Sequence, residues 1–166
     1  RKTTWGLLDK WAVRLGGGLA HRLTRNDALM IKENDLASMD DSSLENDKKI
    51  AQIIQTLELD DISSFIEIEV RNEKEAITAA AVWQQTHENA ETKLVVMLDN
   101  FGPERCKDVV KQLEDMGLRE AVILEASGNI TFEKLGEWFE CGVDVISTSA
   151  INRGVKPLDI SMIIGD

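Results

Sequence analysis

The sequence predicts an α/β protein: an incomplete TIM-like α/β barrel with parallel strands and outer helices. Three observations carry that expectation. Short, nearly continuous apolar runs alternate with helical patterns of 10–15 residues, which is how a parallel sheet with right-handed crossovers reads. Each run ends on a polar or charged residue, and in an α/β barrel the C-terminal strand ends share one mouth where the chemistry sits. There are five such runs, fewer than the eight of a complete barrel, so an open doubly wound sheet is the competing architecture.

Taken in order, Leu7–Leu15 spaces Leu7, Trp11 and Leu15 as one helix face, and Gly16, Gly17 and Gly18 end it because glycine costs backbone entropy in a helix. A short segment with His21 and Arg22 leads into the strand Ala28–Ile31, which delivers Lys32. Residues Asn34–Asp47 read as a linker. Ser42 or Ser43 then caps a helix carrying Ile50, Ile53, Ile54 and Leu57. The strand Ser64–Val70 sets Ile66, Ile68 and Val70 on one face with glutamates between them, and Glu69 follows its apolar run. Asn72 and Glu75 form a capping box for the next helix, through Ala76, Ile77, Ala80 and Trp83. The strand Leu94–Leu98 leads to Asp99, and Pro103 opens a helix in its first turn. Strand Ala121–Leu124 before Glu125, a helix over Thr131–Glu140, and strand Val143–Ile146 before Ser147–Ser149 complete the alternation. The four tryptophans, Trp5, Trp11, Trp83 and Trp138, are expected to pack helices on the sheet. Cys106 and Cys141 are expected within helices, and His87 at an exposed helix end.

The 166 residues suit one domain, 1–166, with 43% hydrophobic and 30% charged residues, as in an ordinary soluble globular protein. A net charge of −11, from 19 basic and 30 acidic residues, speaks against a nucleic-acid partner, which needs a basic surface. No apolar run reaches the roughly 18 residues of a membrane span, and no secretory leader is visible. Two cysteines without metal-ligand spacing read as a reduced, cytoplasmic protein. The chain opens at Arg1 without an initiator methionine and reads as cut from something longer.

Three clusters carry candidate chemistry. Arg1, Lys2, His21, Arg22 and Lys32 form a basic set; arginine forks and a lysine suit a dicarboxylate or a phosphate, though each alone also reads as a solvated cation. Glu69 and Asp99, at the ends of neighbouring strands, suit a hydrated divalent cation or ribose hydroxyls. Ser127, Gly128 and Asn129, with Ser147–Ser149 and Asn152–Gly154, are small and polar residues after the last strands, where backbone N–H groups cradle phosphate.

In this order and spacing the strings RKTTWGLLDKWAVRLGGGLAHR, ALMIKEN, IEIEV, VVMLDNFGPE, LEASGNIT and GVDVIS…KPLDIS resemble the C-terminal barrel domain of quinolinate phosphoribosyltransferase, over essentially the whole chain. The resemblance implies transfer of phosphoribose from 5-phosphoribosyl-1-pyrophosphate to quinolinate, with Mg²⁺, giving nicotinate mononucleotide, pyrophosphate and CO₂ in NAD biosynthesis. By the same resemblance Arg1, His21, Arg22 and Lys32 grip the quinolinate carboxylates, with Lys2 beside them toward the pyrophosphate. Glu69 and Asp99 meet the ribose and Mg²⁺, with Lys2, Glu69 and Asp99 as the catalytic set. Ser127 and Gly128 hold the 5′-phosphate, joined by Ser149 and Arg153. Trp5 stands where the family usually has proline, Asn129 where a second glycine is common, Ser149 where glycine is expected and Arg153 where histidine is common. The family's N-terminal domain is expected to be absent from this chain, to come from the same or a partner chain, and to cover the partner's barrel mouth in a homodimer or higher even oligomer. The alternatives are a related enzyme acting on another pyridine or in molybdenum metabolism, and a non-catalytic ligand-binding barrel.

Overall fold

The computed structural model describes residues 4–25, 27–39, 43–59, 65–151 and 157–164. Arg1, Lys2, Arg153, the Ser42 cap and Ser64 lie outside the described residues. Helix α1 spans Gly6–Leu15, strand β1 Leu29–Ile31, α2 Glu33–Ala37 and α3 Asn46–Gln55. Strand β2 spans Ile66–Val70, α4 Glu73–His87, β3 Leu94–Asp99 and α5 Pro103–Asp115. After a 3₁₀ turn at Arg119–Ala121 come β4, Val122–Ser127, a 3₁₀ segment Phe132–Trp138, and β5, Val145–Ile146.

The five strands are all parallel and lie in the order β1-β2-β3-β4-β5. A doubly wound sheet reverses its strand order partway; this sheet advances by one strand at each crossover, as a barrel does. The order settles the choice for an incomplete barrel.

Pairing also fixes the two faces. Paired residues in a parallel sheet point the same way, and neighbours along a strand point opposite ways. Ile66, Ile68, Val70, Leu94, Val96, Leu98, Val122, Leu124 and Ala126 form the outer face under the helices and are buried to 1% exposure or less. With Ile50 and Ile54 of α3, Ala76, Ala80 and Trp83 of α4, and Val109 and Leu113 of α5 they make the core. The inner face carries Met30, Glu67, Glu69, Val95, Met97, Asp99, Glu125 and Ser127.

Several expectations need correction. The strands run further than their apolar runs: Glu69, Asp99, Glu125 and Ser127 lie inside the ladders, while β5 is shorter than Val143–Ile146. The expected linker holds α2, where Lys32 is the N-cap and its backbone N–H donates to Asp35 Oδ2 at 2.8 Å. Helix α3 is capped from Glu45, beyond Ser43. The segment after β4 forms a 3₁₀ helix, and Cys141 lies past its end. Of the expected Asn72–Glu75 box the N-cap half is present, with Glu75 N–H donating to Asn72 Oδ1 at 2.9 Å, while the Glu75 carboxylate accepts from Arg71 N–H at 2.7 Å and Asn72 Nδ2 at 2.8 Å. Trp83 and Trp138 are buried as expected, but Trp5 and Trp11 are 67% and 61% exposed. His87 is half-buried, stacked on Trp83 at 4.4 Å.

These burials give unequal costs for removing large side chains. Leu98→Ala should lower unfolding free energy by about 2–5 kcal/mol, through lost transfer energy and the cavity left behind. Trp11→Ala, exposed, should change it by less than about 0.5 kcal/mol. Urea unfolding of both variants checks the assignment; equal losses would mean that α1 packs as the sheet-facing helices do.

Candidate active site

The inner face of the sheet is where the chain gathers its polar chemistry. Glu67 is fully buried, Glu125 is 4% exposed and Glu69 8%. Each lies between apolar strand residues, so the pleat that turns isoleucines toward the helices turns these carboxylates inward.

His21 reaches Glu67 from the segment after α1. Its Nε2 lies 2.7 Å from Glu67 Oε2, and the backbone N–H of Arg22 donates to Nδ1 at 2.9 Å. Since Nδ1 accepts, Nε2 carries the ring proton and donates to the carboxylate. Phe65 meets the ring edge-on at 5.2 Å. Lys10 fastens the same segment to α1, donating to the carbonyls of His21 and Arg22, both at 2.7 Å. His21 therefore spends both ring nitrogens on the protein.

His21, Glu67 and Glu125 place one possible ligand atom each within 4.8 Å of one another, the only such group of three among the described residues. A histidine bound to metal through Nε2 normally donates its other N–H to a second partner. Here Nδ1 accepts instead, so the trio fits a hydrogen-bonded unit and does not fit a metal centre. Glu67 Oε1 and Glu125 Oε1 are buried without a partner. Burial first, and then the neighbouring Glu67 charge, push the Glu125 carboxyl above its ordinary range.

Toward the mouth, the Lys32 ammonium pairs with Glu69 Oε2. Burial raises the Glu69 carboxyl despite that ammonium, and Glu33 and Asp99 add to the rise. Arg71, which the sequence reading missed, stands 3.5 Å from Glu33 and 4.0 Å from Glu69. Asp99 ends β3 one inner-face step beyond Met97, the register partner of Glu69, so the two carboxylates are diagonal neighbours. Two hard oxygen donors at diagonal positions fit a divalent cation such as Mg²⁺.

Arg22 donates from Nη1 to the Ala28 carbonyl at 2.9 Å and from Nη2 to Met30 Sδ at 3.6 Å, which holds its guanidinium beside β1. It lines a cavity of about 460 Å³ together with His21, Lys10, Arg14, Leu7 and Trp11. The last four lie at i, i+3, i+4 and i+7 on α1, so the face expected to pack on the sheet is the wall of this cavity. Lys10 and Arg14 were missed because an apolar stripe masks the cations interleaved with it.

On the opposite side, Ser127 ends β4 and Gly128 follows at φ 99°. Thr148 donates to the Ile130 carbonyl, and Ser147 N–H donates to the Ala126 carbonyl at 2.9 Å. These bonds tie the loop holding Ser149 to the loop holding Gly128. Burial pushes the Cys106 thiol up to about 12, which leaves it no nucleophilic role.

Residues 1–163 match the family of the quinolinate phosphoribosyl transferase C-terminal domain. The chain is 37% identical over 164 residues to a probable carboxylating nicotinate-nucleotide pyrophosphorylase of Archaeoglobus fulgidus, covering 98% of this chain and 56% of that protein. It is 36% identical to the decarboxylating quinolinate phosphoribosyltransferase 1b of Nicotiana tabacum, covering 98% of this chain and 46% of that one. Among solved structures, the nicotinate-nucleotide pyrophosphorylase of Francisella tularensis superposes with a TM-score of 0.67 and 34% identity, over 92% of this chain and 46% of that chain. The chain thus spans about half the length of the curated relatives it matches.

The raised Glu125 carboxyl gives a signed prediction. A carboxyl that holds its proton more tightly when folded than when unfolded contributes a loss of stability that grows as pH rises from its ordinary 4.5 toward the raised folded value, and is complete above it. Glu125→Gln keeps the shape and has no proton to lose. The variant's unfolding free energy, relative to the parent, should rise as pH increases from the ordinary carboxyl value of 4.5 and level off above the raised folded value. A difference that is flat with pH in urea titrations would place the titration elsewhere.

Proposed function

The chain belongs to the quinolinate phosphoribosyltransferase family, as its C-terminal domain, and from that premise we propose that it carries the active site for phosphoribosyl transfer to quinolinate with decarboxylation. The products are nicotinate mononucleotide, pyrophosphate and CO₂, as in NAD biosynthesis. The observation that carries the reading is the inner face of consecutive parallel strands. It brings Lys32, Glu69, Asp99 and Ser127 toward one mouth, and His21, bonded to Glu67 of the same face, joins that face to the basic cavity of Lys10, Arg14 and Arg22.

In this reading Arg22 and the other cations around the cavity hold the two carboxylates of quinolinate with Arg1 and Lys32, and Lys2 lies beside them toward the pyrophosphate. His21 shapes the pocket through its ring, since both its nitrogens are engaged by the protein. As the pyridine nitrogen bonds to the anomeric carbon and pyrophosphate departs, positive charge develops on the ribose ring. Glu69 and Asp99 stabilise that charge from fixed positions that need no reorganisation. Asp99 and Glu69 would hold Mg²⁺, which when bound would supply charge neutralisation for the leaving pyrophosphate. Ser127, Gly128, Ser149 and Arg153 hold the 5′-phosphate.

Ribosylation makes the ring nitrogen cationic, so the ring can take the electron pair of the breaking C–CO₂⁻ bond. Cations that bind the departing carboxylate must then orient it without stabilising it more than the transition state. Lys32, already paired with Glu69, is a weaker electrostatic partner for substrate than a free ammonium, which suits that requirement.

Substrate binding by a homodimer or higher even oligomer, in which the rest of the whole protein covers the mouth, belongs to the same proposal. Its support is the exposure of Leu7 and Trp11 on the cavity wall, 72% and 61%. A reducing cytoplasmic setting is supported by two buried free cysteines, and no described helix is long and apolar enough to cross a membrane.

Carboxyl-labelled quinolinate tests the reaction in the full-length protein. Labelled CO₂ should appear only with donor and Mg²⁺ both present, and Asp99→Asn should slow its release by roughly a hundredfold or more. Release independent of the donor, or an Asp99→Asn variant at parental rate, would remove the proposed chemistry.

A further inference from the structure

Asp99 and Ser127 are register partners at the ends of β3 and β4. Immediately beyond them the chain turns twice through the left-handed region, at Asn100 with φ 59° and at Asn129 with φ 54°. A side chain other than glycine is disfavoured there, asparagine least, and such positions persist where their surroundings hold them.

The holding contacts are visible. Asn100 N–H donates to the Ser127 carbonyl at 2.8 Å, adding one bond beyond the ladder. Asn129 Nδ2 donates to Asn100 Oδ1 at 2.9 Å, and Asn100 Nδ2 donates to Asp99 Oδ2 at 2.8 Å. Gly128 makes room for this: a Cβ there would stand 2.3 Å from Asn100 Oδ1. From the other side Phe101, 5% exposed, anchors the turn, with Arg105 4.2 Å over its ring.

The direction of the chain of bonds is set by chemistry. An ionised carboxylate only accepts, so Asn100 must turn its NH₂ to Asp99 and its oxygen to Asn129, which must donate. One carboxylate oxygen of Asp99 is thereby committed and the other is left for a ligand.

We propose that Asn129 is a positioning residue for Asp99, acting through the Asn100 amide. This rests on the role given to Asp99 under the proposed function. The relay joins the loop assigned to the 5′-phosphate to the carboxylate assigned to the ribose and metal, so the two ends of one donor molecule meet a single hydrogen-bonded unit. The cavity assigned to quinolinate is lined by α1 and the segment before β1 and includes none of the three relay residues.

Both asparagines sit where glycine keeps the backbone, so Asn129→Gly, Asn100→Gly and the double variant remove the amides with the turns intact. In the full-length protein, three quantities are compared with the parent: KM for the phosphoribosyl donor, KM for quinolinate, and the dissociation constant of Mn²⁺ alone from water-proton relaxation. Asn129→Gly should raise the donor KM and the Mn²⁺ dissociation constant by roughly threefold to tenfold, the worth of one hydrogen bond. The quinolinate KM should move by less than about twofold, within the scatter expected for an independent site. The double variant should match Asn100→Gly, because the relay fails as a unit. Unchanged donor and Mn²⁺ binding, equal shifts for both substrates, or additive losses would each overturn the proposal. An Asp99→Asn control separates the two failures. If it abolishes Mn²⁺ binding while Asn129→Gly is silent, only the relay falls; if it leaves Mn²⁺ binding intact, the role of Asp99 falls and the relay with it.

Discussion

Removing a carboxylate from water costs several kcal/mol unless partners replace the lost solvation, and the inner face of this sheet removes three of them. Glu67, Glu69 and Glu125 are each less than 10% exposed. The compensation differs at each. Glu69 has the Lys32 ammonium, Glu67 has the His21 N–H, and burial pushes the Glu125 carboxyl above its ordinary range. Much of the peripheral structure follows from that need. Lys10 helps to hold His21 at Glu67 by tying the segment after α1 back to the helix through two carbonyls. Lys32 serves at once as the end of β1, the N-cap of α2 and the counter-ion of Glu69.

That arrangement trades stability for a prepared field. An apolar inner face would fold as well or better, since replacing buried ionic groups by packed hydrophobes is often neutral or stabilising. The outer face supplies what the inner face gives up. Its isoleucines, leucines and valines are sealed under α3, α4 and α5, and these helices carry almost none of the chemistry. Two faces of one strand, one residue apart, hold the two tasks. A register slip of a single residue would exchange them, and burying charges under the helices is an effective guard against it.

The inner and outer faces were legible in the sequence, because I-E-I-E-V states the alternation outright. The ends of the strands were not. A carboxylate after an apolar run looks like the edge of a strand, whereas Glu69 and Glu125 are paired ladder residues turned inward. Helix α2 escaped notice because five residues cannot show a period. The candidate site was legible in its charged members, Lys32, Glu69 and Asp99, since charge beside an apolar run stands out. Glu67 was read as an intervening polar residue, and Asn100 as nothing in particular. Their roles depend on which strand lies next to which, and single-strand patterns carry no such information.

Helix α1 shows how the same periodicity can mean two things. Leu7, Lys10, Trp11 and Arg14 share a face at helical spacing, and spacing alone identifies that they act together without saying against what. A core-facing stripe excludes charge, because a buried ammonium needs a partner. A stripe that interleaves cations with large apolar side chains suits a wall that holds an aromatic anion, whose ring and carboxylates ask for both kinds of contact. The cavity lined by this face has that mixed character. A segment that covered Leu7 and Trp11 would also close over Lys10 and Arg14, lowering the dielectric around them and strengthening any hold on a carboxylate. On the proposed function, closure and substrate binding at this wall would be one event, driven by apolar burial and made selective by charge.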